Sequence, residues 1–123
     1  DVEILDIQYA YDDSKIAGKI TEEMLKMHPD LKGVYLAASG TDGVCKVLKN
    51  NKLVGKVKVI SNDLTTKNEQ ELKRGLIQFL LGQNAYVQGH LPIMILFNKL
   101  FDGKEPEVEH QYTEIVIKTK YNL

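Results

Sequence analysis

The amino-acid sequence predicts an α/β fold, with a mostly parallel sheet of about five strands and helices on both faces. Two observations predict it. Hydrophobic spacing switches at regular intervals between the two-residue repeat of a strand and the 3.6-residue repeat of a helix. The segments run strand–helix throughout and close on a strand, and the helical stretches are long enough to be the crossovers that parallel strands require.

The elements follow in order. Residues 2–7 (Val-Glu-Ile-Leu-Asp-Ile) read as a first strand. Asp12, Asp13 and Ser14 offer side-chain oxygens to the unpaired N–H groups of a helix start. Ile16, Ile20, Met24 and Met27 then mark one helical face, which His28-Pro29 ends. Residues 33–38 form a second strand, apolar throughout and so expected to be covered on both faces. The turn Ser39-Gly40-Thr41-Asp42 can cap a helix carrying Val44, Val47 and Leu48, and Asn50-Asn51 stop it. Residues 57–60 are a third strand. Thr66 and Glu69 have the spacing of a capping box, and Gly75 suits the left-handed residue past a helix end. Residues 76–81 are a fourth strand and residues 112–118 a fifth. Between them a helix of about 86–101 stops at Asp102-Gly103; from Leu91 to Phe101 it is apolar around most of its circumference, where a surface helix should show a polar stripe. Either that helix is deeply buried or one face belongs against a partner. Pro92 costs little if the helix begins near Gly89 or His90.

Composition narrows the function. In 123 residues, 43% are hydrophobic and 27% charged, an ordinary globular balance. Sixteen basic residues against seventeen acidic ones leave a net charge of −1, so no bulk field favours nucleic acid. Any DNA contact would come through a separate domain. The single cysteine, Cys45, excludes an intrachain disulfide and reads as buried packing. No apolar run approaches the ~20 residues of a membrane helix, and no signal peptide is visible. The opening Asp-Val-Glu-Ile, without an initiator methionine, reads as a piece of something longer.

In open α/β sheets, ligands bind beyond the carboxyl ends of the strands. That edge receives Gln8, Tyr9, Tyr11 and Asp12 from the first strand, Ser39 to Asp42 from the second, Ser61, Asn62 and Asp63 from the third, and Gln83 and Asn84 from the fourth. Aromatic faces cover C–H surfaces while carboxylates and amides pair with hydroxyls, which suits a neutral polyhydroxylated ligand. The candidate contacts are Tyr11, Ser39, Asp42, Asp63 and Gln83. Plainer readings stand beside these: Asp12 and Asp13 as helix caps, Asp63 as a turn cap, Gln83 and Asn84 as loop amides, and Tyr9 or Tyr11 packed under the first helix. The edge has no Lys/Arg cluster for a phosphate, and His28, His90, His110 and Cys45 are too scattered for a metal. No nucleophile–base pair, Gly-x-Ser-x-Gly or P-loop is present, so no catalytic residue, metal or cofactor is expected.

Four segments carry a family resemblance. Lys-Gly-Val-Tyr-Leu-Ala-Ala-Ser-Gly-Thr-Asp-Gly at 32–43, Gly-Lys-Val-Lys-Val-Ile-Ser-Asn-Asp-Leu-Thr at 55–65, the stretch from Leu72 through Gln83 to Gly89, and the Gly103-Lys-x-Pro106 link resemble, in order, type I periplasmic sugar-binding proteins and LacI/GalR-family transcriptional regulators. The resemblance implies the C-terminal part of a two-lobed sensor that closes on a small ligand, usually a sugar, with its N-terminal lobe missing from this chain. It implies ligand contacts at Asp63 and Gln83, a third between Ser39 and Asp42, and an aromatic contact from Tyr9 or Tyr11. It places residues 1–83 and 111–123 in the C-terminal subdomain and residues 84–110 in the N-terminal one. The sequence departs from the family at the Ser-Gly-Thr-Asp turn, at Ser61 in place of glycine, and at Ala85 in place of the proline after the crossover.

The ending at 113–122 (Thr-Glu-Ile-Val-Ile-Lys-Thr-Lys-Tyr-Asn) is more similar to the regulators' tail. The favoured expectation is therefore the effector lobe of a cytoplasmic, homodimeric regulator. The alternative is the periplasmic or extracellular sugar-binding component of an ABC transporter. A phosphoacceptor receiver domain matches Asp12, Asp13 and Asp63 only superficially, because no hydroxyl ends the fourth strand and no Lys-Pro follows the fifth. A small-molecule enzyme is a further, weaker reading.

Overall fold

The computed structural model describes residues 2–123. Among them the chain forms four helices and four strands: α1 (Ser14–Met27), β1 (Gly33–Leu36), α2 (Thr41–Asn50), β2 (Lys58–Asn62), α3 (Thr66–Lys73), β3 (Phe79–Gln83), α4 (Ala85–Asp102) and β4 (Ile115–Lys118). The sheet runs in the order β1-β2-β3-β4. The first three strands are parallel, with Val34 beside Val59 and Ser61 beside Leu80. β4 is antiparallel to β3, with Ile115 beside Gln83. The α/β class and the mostly parallel sheet are as expected.

Of the five expected strands, the first, at residues 2–7, does not form. The alternating apolar residues are there, but no neighbouring strand pairs with them, and Val2, Ile4 and Ile7 are exposed. A strand cannot persist without a ladder partner to take its N–H and C=O groups.

The core lies on one face of the sheet. Val59, Ser61 and Leu80 point from alternate positions of β2 and β3 toward α2 and α3, where Val44, Leu48 and Leu72 close over them with Ile77. Each such fully buried aliphatic side chain contributes roughly 1.5–3 kcal/mol. α1 lies across α2 at close range: a β-carbon at Gly43 would drive into the Ser14 carbonyl oxygen. The opposite sheet face carries Tyr35, Phe79 and Ile117, all at least two-fifths exposed. β1 is therefore covered on one face, not on both; its continuous apolar run does not distinguish the two.

Local chemistry sets the element ends, with shifts from expectation. Asp13 caps α1 by accepting from the N–H groups of Lys15 and Ile16. Gly40 stands at the cap position of α2, where its φ of 110° suits glycine and no side chain caps the helix. The cap of α3 is Thr65, accepting from the Asn68 N–H at 3.1 Å, one residue before the expected Thr66–Glu69 pair. Gly75, at φ 78°, turns the chain after α3 as expected. Residues 76–78 do not extend β3 backward, because Ile77 plunges into the core and the Gln78 side chain takes the Val59 N–H at 2.7 Å. Likewise β4 starts at Ile115, not at 112. α4 begins at Ala85, so Pro92 falls inside the helix and leaves the Gln88 carbonyl without its usual donor.

Candidate functional site

The carboxyl ends of β1, β2 and β3 lie side by side, because three parallel strands in consecutive order must end on the same edge. Side chains tie these ends together. The Ser39 N–H beyond β1 donates to the Asp12 carboxylate at 3.0 Å, which brings the turn before α1 to the edge. The Asn62 amide donates to the Ala37 carbonyl at 2.9 Å and accepts from the Tyr35 hydroxyl at 3.4 Å. The Asp63 N–H reaches the Leu81 carbonyl at 2.9 Å. At the β3 end, the Gln88 amide of α4 donates to the Gln83 side-chain oxygen at 2.8 Å and to the Thr113 hydroxyl at 3.2 Å.

All five candidate contacts lie on or beside this edge, but they are not equivalent. Tyr11 is 84% exposed and stands in the turn ahead of α1 rather than at a strand end. Ser39 and Asp63 are exposed, and among the described residues no donor reaches the Asp63 carboxylate. Gln83 has its oxygen engaged by Gln88, and its amide hydrogens meet no acceptor among the described residues. Asp42 is committed. One oxygen accepts from the Ser14 hydroxyl and the other from the Lys67 ammonium at 2.6 Å, so it ties the starts of α1, α2 and α3 together. The Lys67 bond, then the Ser14 bond, hold its carboxyl below the usual carboxylate range. Asp13 is also held low, by the Ile16 and Lys15 N–H groups it caps.

Three of the four non-glycine residues with positive φ sit at this edge: Tyr11 at 49°, Asp12 at 59° and Asp63 at 69°. Such a backbone costs about 1–3 kcal/mol per residue and is kept where surrounding contacts impose it. Two further features were not apparent from sequence. Ser61 shares a 2.8 Å hydrogen bond with the Thr41 hydroxyl in the core, which satisfies both buried groups. Asn68 reaches back from α3 to the carbonyls of Asn62 and Asp63. Only pairwise contacts between elements reveal them.

A cavity of about 700 Å³ opens beside Gln83, between α4 and residues 111–115. Leu91, Ile95, Leu96 and Ile115 make it mainly aliphatic, unlike the polar edge it adjoins. Cys45 lies in the core, where burial, with Glu71 and Asp42 nearby, pushes its thiol up to about 12, so it is no nucleophile. Among the described residues no group of His, Cys, Asp and Glu is placed to hold a metal ion, and no helix is long and apolar enough to cross a membrane.

Comparison with known proteins gives a consistent picture. Residues 1–105 match the family described as periplasmic binding protein domain. The xylose/arabinose-binding protein XylF of Sulfolobus acidocaldarius is 30% identical over 86 residues, 62% of this chain and 20% of that protein. A solute-binding protein of an ABC transporter from Burkholderia graminis, solved with D-arabinose, superposes with a TM-score of 0.88 at 27% identity, over 98% of this chain and 43% of that one. GanP, a glucose-galactose binding protein from Geobacillus stearothermophilus, superposes equally well at 24% identity, again over 98% and 43%, and shows likeness of fold alone. The chain thus spans about two-fifths of the solved structures and one-fifth of XylF.

Proposed function

Because the chain belongs to the periplasmic binding protein family, we propose that it supplies part of one wall of a sugar-binding cleft in a two-lobed, non-enzymatic receptor. The observation that carries this reading is the row of uncommitted polar groups at the ends of consecutive strands: the Tyr11 phenol, the Ser39 hydroxyl, the Asp63 carboxylate and the Gln83 amide. An ionised carboxylate accepts from two vicinal hydroxyls, an amide donates to a third, and a phenol ring covers C–H faces. Asp42, with both oxygens engaged, serves instead to fix the edge in place.

Residues 84–110 are assigned to the opposite lobe. The support is α4 itself, eighteen mainly apolar residues of which none is buried. A ligand that touches both lobes only when they are closed shifts the population toward closure by its differential affinity.

The sugar-binding names of the relatives favour the transport or sensing component over a DNA-binding regulator, and with it a location outside the cytoplasm. Only the similarity of residues 113–122 to the regulators' tail points the other way. The first residues of the parent polypeptide discriminate: a secretory signal supports the receptor, a helix-turn-helix the regulator.

The test is calorimetric titration of the two-lobed parent with D-xylose, L-arabinose, D-glucose and D-galactose. Asp63→Ala and Gln83→Ala should each weaken the best of these by ~1–3 kcal/mol through unpaired polar groups. Unchanged affinity in both variants removes this edge from the site.

A further inference from the structure

Asp63 is exposed, and its carboxylate makes no bond among the described residues, so only its backbone limits the directions that group can take. That backbone sits at φ 69°, a left-handed conformation that costs a non-glycine residue about 1–3 kcal/mol, although aspartate bears it better than most. On one side the support is the ladder: the Asp63 N–H donates to the Leu81 carbonyl at 2.9 Å. On the other side it is a single side chain. The half-buried Asn68 amide donates to the Asn62 carbonyl at 3.1 Å and to the Asp63 carbonyl at 3.0 Å. Its own N–H is fixed at 3.1 Å by the Thr65 hydroxyl that caps α3, so the side chain starts from a set point.

We propose that Asn68 is a positioning residue: by bridging the carbonyls of residues 62 and 63 it holds Asp63 in the left-handed conformation and so aims its carboxylate along the edge of the sheet. The inference rests on the proposed sugar site only for its purpose; the geometry stands apart from it. Residue type follows from the task. One NH₂ must reach two carbonyls from the third residue of a helix. Aspartate has no donor, and alanine has neither reach nor donor. The pair of hydrogen bonds resembles a capping box reversed, with the side chain reaching back to carbonyls instead of to an N–H.

The test has two readouts. In NMR spectra of the chain, a left-handed residue gives a strong intraresidue amide–Hα cross-peak and an extended one a weak cross-peak. Asn68→Ala and Asn68→Asp should both weaken that peak at Asp63 while the amide signals of Ser61 and Leu80 stay in place. A peak of full strength in both variants overturns the proposal. In the two-lobed parent titrated with the same four sugars, Asn68→Ala should lower affinity about tenfold. It should produce no further loss once Asp63 is alanine, since a positioning residue acts only through the group it positions. An equal loss in the Asp63→Ala background also overturns it. If the cross-peak is lost but Asp63→Ala binds sugar normally, Asn68 still positions Asp63, and it is the sugar-contact reading of Asp63 that falls.

Discussion

α2 and α4 both carry aliphatic side chains and differ in what becomes of them. In α2, six of ten residues are buried, and the helix is locked between α1 and the sheet. In α4 none of eighteen is buried, although Ile93, Leu96, Phe97, Leu100 and Phe101 all lie along it. Apolarity along a helix therefore shows that a surface requires covering, not that this chain covers it. α4 keeps its shape through local means: the Asn84 cap on the Val87 N–H, the stacked Tyr86–His90 and Phe97–Phe101 rings, and the closing turn at Gly103.

Truncation of core and helix residues should show this contrast most strongly. Leu72→Ala opens a cavity at a fully buried position and should cost ~2–5 kcal/mol in denaturant unfolding. Phe101→Ala, at a position 74% exposed, should cost within about 0.5 kcal/mol. Equal losses would mean that α4 is packed after all.

Glycines sharpen the same comparison. Gly43→Ala must separate α1 from α2, because the new methyl meets the backbone of Ser14, and a penalty of ~1–3 kcal/mol is expected. Gly89→Ala in α4 meets nothing within 4 Å and should stabilise by about 0.5–1 kcal/mol through helix propensity. Thermal unfolding of the two variants should therefore move in opposite directions.

The smallest effect is electrostatic and belongs to the α2 side alone. The folded-state pKa of Asp42 is depressed, so its bonds to Lys67 and Ser14 contribute stability above the ordinary aspartate range, and that contribution is lost as pH falls through the lower folded value. Asp42→Asn should cost no more than ~0.2–1 kcal/mol near pH 7, as both partners are substantially solvated. It should also flatten the acid limb of a stability–pH curve. An acid limb that stays as steep in the variant assigns that loss to other carboxylates.

Much of the fold was legible because local rules decided it. Period switching gave the parallel strands and their crossovers, Asp13 capped α1, and Gly75 and Gly103 ended helices where expected. What sequence could not give was anything set by a partner. Residues 2–7 alternate as a strand does yet find no ladder, and residues 33–36 read as doubly covered yet face open space on one side. The site divides in the same way. The topological rule put Ser39, Asp63 and Gln83 on one edge, but the commitment of Asp42 to Lys67, a contact across 25 positions, was not visible. Nor was the role of Asn68, whose two bonds depend on where α3 starts to within one residue.

The order β1-β2-β3-β4 leaves β1 as an outer strand, with Tyr35 exposed on its uncovered face. Such a margin is a ladder that stops without a cap, and the alternating apolar residues 2–7 are chemically suited to continue one. In concentrated preparations of the chain by itself, intermolecular β-pairing would therefore compete with the monomer. Tyr35→Lys is the direct remedy, since a charge on an outer strand discourages a second strand from pairing along it.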